Sequence, residues 1–345
     1  MASQWKGVLG SGGIAVLLYL SGLLLWLTPI PLIYTYRKRG SQEALVAGGF
    51  GLFLLGILYL ALLPWVISQF GAEKLGPYFF WLPGVGVAQG ATWNPAWFGL
   101  PYFAFYGVMA WMLGHWESRE KDITLLVGRT LGVLLAGIII WVLWQTGGAL
   151  SQVVPETEKY FRALLEQIIQ VPKEGGPEVR DQLALFHTYG DRIIYYAVRL
   201  IPGMVISMTL FVIWLNVLVA RKIFLKDKFF GILGPLKKWQ LPFSFVWALI
   251  GVASLLIADI YFFKIGYFKI LALNVFIVFG LVYTFQGLAI LAFFSQKWKI
   301  PPLAKLVFYL LFLLFFQPIS VLLLGLGFFD SWFDIRKLTP KAARP

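Results

Sequence analysis

Long apolar runs, each about as long as a helix that crosses a bilayer, dominate this sequence. Residues 270–294 form such a run and carry no charged side chain, and about 20 apolar residues cross the hydrocarbon core as a helix. Only 13% of the whole chain is charged, whereas soluble domains carry about 25%. The sequence therefore predicts an all-α polytopic integral membrane protein, with 270–294 as a central helix of its bundle.

Eight apolar spans can be marked along the chain, which we treat as a single membrane domain over residues 1–345. The predicted spans are 7–36, 45–67, 97–113, 123–144, 201–220, 242–262, 270–294 and 303–328. They predict a bundle of about eight transmembrane helices. Prolines 29 and 31 remove backbone donors, so they should end or kink the first helix.

Residues 151–192 are the one substantial aqueous segment and predict an amphipathic helical hairpin. Pro155 and Glu156 are typical of a helix start. One apolar face then repeats at helical spacing through Phe161, Leu164, Leu165, Ile168 and Ile169. Gly175 and Gly176 predict a turn, and a second helix is expected from Glu178 towards Tyr196.

Basic residues between the spans predict the orientation of the chain. Residues 37–39 and 221–238 are rich in Lys and Arg and mark the cytoplasmic side. Alternation over eight spans then places the hairpin outside, but it also places the basic tail, 329–345, outside, against the rule. A hairpin at Pro29–Pro31 would move the N-terminus, and a break at Pro318 would bring the tail inside. Both alternatives stay open.

Residues 76–107 combine many aromatic side chains with prolines. This composition is typical of an interfacial aromatic belt or a re-entrant loop. A sharper hypothesis makes the segment a lid over a ligand pocket, with Trp81 and Trp93 as candidate ligand-binding residues.

Uncharged polar side chains within the spans are the other candidate ligand-binding residues. They are Asn216, Asn274, Tyr283, Gln286 and Gln317. Such groups either form interhelical hydrogen bonds or converge on a cavity that holds a neutral or amphiphilic small molecule. Tyr283 and Gln286 share a helix face, whereas Asn274 lies well round from Gln286. Asp259 is the one acidic residue of the sequence that falls within a predicted span. The alternatives are an interfacial pair with Lys264 and a proton relay, and the interfacial pair is expected.

Several chemistries lack their sequence signatures. The chain has no cysteine and two histidines, so no metal site and no cofactor is predicted. It contains no P-loop, HExxH or GxSxG motif, so we expect neither ATP hydrolysis nor another enzyme activity. The net charge of +13 lies between apolar spans. The basic residues that give this charge therefore indicate anionic lipid headgroups of the bilayer as partners, and no nucleic acid.

Small residues recur every four positions in the first span, at Gly7, Ser11 and Ala15. This spacing lets another helix approach closely. The triplet is either ordinary packing within the bundle or a docking face for a partner subunit.

Three stretches carry a family resemblance. They are Pro29-x-Pro31-Leu32, the segment from Tyr283 through Gln286 to Ile290, and the C-terminal series Gly325, Gly327, Asp330, Trp332, Asp334 and Arg336. Together they resemble the YybS-like family of predicted bacterial membrane proteins, a domain of unknown function. In the last motif, a helical tail would also permit a cation–π contact between Arg336 and Trp332.

The resemblance implies a multi-pass protein of the bacterial inner membrane. That family is distantly similar to substrate-binding subunits of energy-coupling-factor transporters, which pair with a coupling subunit and ATPases through small residues in their first helix. The leading hypothesis is therefore a protein that binds or helps transport a small molecule or lipid without its own ATPase. The alternative is a non-transporting scaffold subunit of an envelope complex.

Overall fold

A computed structural model of the chain describes residues 2–70, 96–115, 123–169, 177–224 and 236–338. Within these ranges the protein is helical and contains no strand. The helices are α1 Ala2–Leu20, α2 Pro29–Arg39, α3 Ser41–Ile57, α4 Leu63–Phe70, α5 Ala96–His115, α6 Ile123–Gln145, α7 Val153–Ile169, α8 Pro177–Ile223, α9 Ser244–Ala258, α10 Tyr267–Lys297, α11 Pro302–Leu314 and α12 Phe316–Phe333. A π-helical turn, Leu58–Leu62, joins α3 to α4, and another, Asp259–Phe263, follows α9.

Five helical stretches of the described residues are long and apolar enough to cross a membrane. They are Ser41–Phe70, Ile123–Gln145, Thr188–Ile223, Ser244–Phe263 and Tyr267–Lys297. The count of candidate spans rises to six if the bent pair formed by Pro302–Phe312 and Gln317–Phe333 is taken as one span. The structure thus shows a polytopic helical protein, with five or six candidate spans in its described part against the eight predicted.

The first predicted span is two helices joined by a reversal. Helix α1 ends at Leu20, Gly22 has a positive φ of 67°, and α2 begins at Pro29. Proline suits the first position of a helix because the missing N–H would have no partner there. A Cβ at Gly7 would lie 2.4 Å from the Arg39 guanidinium, so α2 runs back along α1. This geometry favours the hairpin alternative.

The chain forms two compact units, residues 1–150 with 209–232 and residues 151–208 with 233–345. In the first unit, the buried Tyr19 donates a hydrogen bond of 2.6 Å to the Gly99 carbonyl. A Cβ at Gly99 would lie 2.5 Å from the ring of Tyr59. Glycine at 99 therefore lets α5 approach two tyrosines from neighbouring helices.

In the second unit, α7 packs against the early part of α8. The ion pairs Arg162–Asp191 and Glu158–Arg199 join the two helices. The whole of helix α8 has 47 residues, which is about 70 Å against a hydrocarbon core of about 30 Å, and its part from Thr209 onwards belongs to the first unit. The second helix of the predicted hairpin and the fifth predicted span are therefore one helix.

The last predicted span is also broken, with an angle of 111° between its two parts. Helix α11 ends at Leu314, and Pro318 lies in the first turn of α12, where a proline is tolerated. Helix α12 runs parallel to α10, because Gly280 faces Leu324, Tyr283 faces Gly327 and Gln286 faces Asp330. Both helices therefore end on the same side of the second unit.

Candidate functional site

Two glycines bring α10 and α12 into direct backbone contact. A Cβ at Gly327 would lie 2.0 Å from the Tyr283 carbonyl oxygen, and one at Gly287 would lie 2.1 Å from the Leu323 carbonyl oxygen. Any side chain at either position would push the helices apart. This close crossing places Gln286 beside Asp330, one turn further along α12.

Asp330 and Arg336 form an ion pair inside the second unit. The Arg336 Nη2 and Nε atoms lie 2.7 Å and 3.2 Å from Oδ2 of Asp330, and both side chains are 0% exposed. Helix α12 ends at Phe333 and Asp334 adopts a left-handed conformation with φ 41°. The chain turns back there, so Arg336 reaches Asp330 and does not continue a helix beside Trp332, which the cation–π hypothesis required.

The ion pair also holds the segment that precedes α9. Nη1 of Arg336 donates to the carbonyl oxygens of Lys237 and Trp239, at 2.8 Å and 2.9 Å. Gln286 donates to Oδ2 of Asp330 at 3.1 Å, and its own oxygen accepts from the Leu241 N–H at 3.2 Å. We call Gln286, Asp330, Arg336 and the backbone of residues 237–241 the polar junction.

The polar junction suits structural locking better than acid–base chemistry. One oxygen of Asp330, Oδ2, accepts from three donors of the protein itself: Arg336 Nε, Arg336 Nη2 and Gln286 Nε2. A buried charge that is paired and hydrogen-bonded in this way is strongly held, because removal of either partner leaves the other charge unsatisfied. The contacts join four chain segments at one point.

The polar junction also decides between the alternatives for the tail. Arg336 touches the backbone of residues 237 and 239, which belong to the basic segment before α9. Strict alternation over eight spans would have placed these two segments at opposite ends. The broken last span, α11 and α12, returns the chain to the basic end.

Asn274 joins α10 to α8 at a proline. Its Oδ1 accepts from the Gly203 N–H at 2.6 Å, and its Nδ2 donates to the carbonyls of Arg199 and Ile270, both at 2.9 Å. Arg199 and Gly203 are one helical turn apart and flank Pro202, which has no N–H. The amide of Asn274 is therefore used in helix packing.

Asn216 lies in the first unit, beside the reversal between α1 and α2. It is 0% exposed, and its Nδ2 donates to the carbonyls of Trp26 and Val212 at 2.7 Å and 2.9 Å. Its Oδ1 is buried and has no hydrogen-bond partner among the described residues. Compared with Asn274 and Gln286, whose side-chain oxygens both accept hydrogen bonds, Asn216 keeps an unused acceptor.

A family model described as "Predicted membrane protein (DUF2232)" matches residues 84–331. The match covers more than half of the chain and includes α10 and most of α12. The chain belongs to the DUF2232 family. This membership agrees with the resemblance to YybS-like membrane proteins of unknown function. No curated protein and no solved structure matches the chain.

The remaining candidate ligand residues of this DUF2232 chain do not gather in one place. Tyr283 packs against Phe279 and Phe328, and its buried hydroxyl has no hydrogen-bond partner in the described ranges. Gln317 is exposed near the start of α12. Trp81 and Trp93 lie outside the described residues, as do most of residues 76–107.

The small-residue triplet of α1 makes its described contacts with other residues of the first unit. Ala15 is fully buried, the Ser11 hydroxyl donates to the Gly7 carbonyl at 3.0 Å, and Gly7 lies against Arg39. In addition, a Cβ at Gly12 would lie 2.4 Å from the Ala47 carbonyl. This face of α1 therefore packs against α2 and α3.

Asp259 has a role that the sequence did not suggest. Its carboxylate accepts from the backbone N–H groups of Ile265, Gly266 and Lys269, at 3.0 to 3.3 Å. It closes the turn before α10 and satisfies free donors at the start of that helix. The expected pair with Lys264 is replaced by these backbone contacts.

No group of three or more His, Asp or Glu side chains that could hold a metal ion occurs among the described residues. In this member of the DUF2232 family, the polar junction holds a fully buried ion pair. Asp330 and Arg336 belonged to the sequence motif. Their pairing could not be read from it, because it depends on a helix end at Phe333.

Proposed function

We propose that this protein binds a small molecule or lipid within the membrane and lacks an ATPase of its own. The supporting observation is Asn216, whose buried Oδ1 has no partner among the described residues and which lies beside the reversal between α1 and α2 at residues 21–28. Non-helical backbone within a membrane protein is typical of a cavity lining, and in many transporters the ligand site lies beside such backbone.

The chemistry of Asn216 defines the kind of ligand. Its Nδ2 is occupied by two backbone carbonyls, so the free group is a neutral acceptor. A ligand would therefore present a hydroxyl, an amine or an ammonium group. A buried water molecule would satisfy the same atom, and the experiment below distinguishes the two.

Energy coupling would come from a partner. The sequence holds no P-loop, and the similarity of YybS-like proteins to substrate-binding subunits of energy-coupling-factor transporters implies coupling subunits with ATPases. We place the protein in the bacterial inner membrane. We propose that the end of the second unit with Lys238, Lys297 and Lys337 faces the cytoplasm, and that α7 faces the outside.

Native mass spectrometry of the protein released from nanodiscs tests this proposal. We expect a small molecule or lipid of defined mass to stay bound to the wild type and to be lost from Asn216→Leu. Gln317→Leu, which removes an exposed amide, is the matched control and should keep the mass. Wild-type protein without any bound species, or Asn216→Leu that keeps it, would contradict ligand binding at this site.

A scaffold function is the second candidate, and the amides of the second unit favour it. Asn274 and Gln286 use their hydrogen bonds to join helices, as in a rigid anchoring block. The same spectra separate the two functions. Co-released protein subunits without a small molecule would support the scaffold function. A bound small molecule would support the ligand-binding function.

A further inference from the structure

Three separate chain segments bring exposed lysines to one end of the second unit. Lys237 Nζ donates to the side chain of Gln296, and Arg336 donates to the Lys237 carbonyl at 2.8 Å. An exposed lysine directly follows each of the residues Lys237, Gln296 and Arg336. These lysines are Lys238, Lys297 and Lys337. Because consecutive Cα atoms are about 3.8 Å apart, the backbones of the three lysines lie next to residues that contact one another.

Within residues 236–338, the acidic side chains are all buried. Over residues 236–338 the sequence has three acids, Asp259, Asp330 and Asp334. Asp330 is buried and paired with Arg336. Asp334 is buried, and its Oδ1 accepts from the Leu338 N–H at 2.8 Å. Asp259 lies at the opposite end of α10, about 45 Å away for a helix of that length.

Aromatic side chains place this end at the membrane surface. The candidate span Tyr267–Lys297 ends here, and Trp298 and Trp332 are 67% and 48% exposed. Exposed tryptophans beside the end of a span are typical of the headgroup region of a bilayer. This pattern predicts that the ammonium groups lie at the depth of lipid phosphates.

We infer that Lys238, Lys297 and Lys337 form a binding site for the headgroup of an anionic phospholipid. Three exposed positive charges, with no exposed acid within residues 236–338, match a headgroup with two phosphates, as in cardiolipin, better than one with a single phosphate. The site is fixed by the polar junction, because Arg336 holds the tail against residues 237–239. It is independent of the ligand proposed at Asn216.

The test is native mass spectrometry of the full-length protein in detergent, titrated with cardiolipin or with phosphatidylcholine. We expect the wild type to retain cardiolipin preferentially. The triple variant Lys238→Gln, Lys297→Gln, Lys337→Gln should bind it at least about tenfold more weakly, because each lysine near a membrane surface contributes to anionic lipid binding. The corresponding Lys→Arg triple variant, which keeps the charges, should bind like the wild type.

A matched variant loses the same charge at the other end of the second unit. Lys159, Arg192 and Lys264 are all exposed there, and their change to Gln should leave cardiolipin binding intact. Equal losses in the two Gln variants, or no loss in either, would overturn the site. Displacement of cardiolipin by the same concentration of inorganic phosphate would overturn its assignment to lipid. If the triple Gln variant does not fold, Lys337→Gln alone should still show a partial loss, and unchanged binding would overturn the site.

Discussion

Asp330 and Arg336 hold opposite charges in a place where neither side chain is exposed. Taking two charges out of water has a large cost, which is recovered only if the geometry is good and the remaining hydrogen-bonding groups are satisfied. The contacts of Gln286, Lys237 and Trp239 meet that condition. At the scale of single residues, the tail is therefore held by a polar contact that fails if one member is removed.

Asp330→Asn should destabilise the protein by about 3 to 5 kcal/mol, because it leaves the Arg336 charge buried without a counter-charge. The control is Asp191→Asn. Its ion pair with Arg162 is exposed, with side-chain exposures of 82% and 51%, and exposed pairs contribute about 0 to 1 kcal/mol. Denaturant unfolding in detergent micelles gives both values. Equal losses in the two variants would show that Asp330 has no special role.

The sequence identified these residues without identifying their contacts. Asp330 and Arg336 stood in a motif and Gln286 was a candidate, but residue 330 lies past the end of the predicted span. Pairing across the end of a helix depends on the left-handed conformation of Asp334, which no hydrophobic pattern encodes. The sequence singled out Asp259 but not its partners, because these are backbone N–H groups.

At the scale of helices, α10 and α12 depend on glycine at their crossing. The two helices are parallel and make backbone contact at Gly287 and Gly327. Close packing through small residues is a principal source of helix association in membranes. The polar junction depends on this contact, because it sets the distance between Gln286 and Asp330.

Gly327→Ala should destabilise the second unit by about 1 to 3 kcal/mol, since an added methyl group forces a packed interface apart. Gly325 is two residues away in the same helix, and a Cβ there has nothing within 4 Å. Gly325→Ala should change the stability by no more than about 0.5 kcal/mol. Thermal unfolding of both variants in nanodiscs measures the difference. Similar stabilities would mean that the crossing is looser than described.

Helix existence followed from the sequence more readily than helix continuity. Apolar length predicted each of the spans seen at α6, α9 and α10, and helical periodicity predicted the helix seen at α7. The break before Pro29 and the bend at Phe315 were left open, because proline fits either inside a kinked helix or at the start of a new one. The continuity of α8 through Pro202 was missed, because Asn274 supplies a partner from another helix.

At the scale of the whole molecule, the broken final span determines the topology of the second unit. Helix α11 starts after Lys297, and α12 returns parallel to α10, so Lys337 and Lys238 lie at one end. Lys264 lies beyond the candidate span Ser244–Phe263, at the other end. Strict alternation of eight complete spans would have placed Lys337 and Lys238 at opposite ends of the second unit. The arrangement seen here instead agrees with a basic cytoplasmic side.

Cysteine accessibility tests this arrangement directly, because the chain has no cysteine of its own. Single variants Lys238→Cys, Lys264→Cys and Lys337→Cys, each at an exposed residue, would be treated with a membrane-impermeant maleimide in spheroplasts. We predict that Lys264→Cys reacts in intact spheroplasts, whereas Lys238→Cys and Lys337→Cys react together and only after permeabilisation. Reaction of Lys337→Cys alongside Lys264→Cys, with Lys238→Cys protected, would contradict the return of the tail to the basic end.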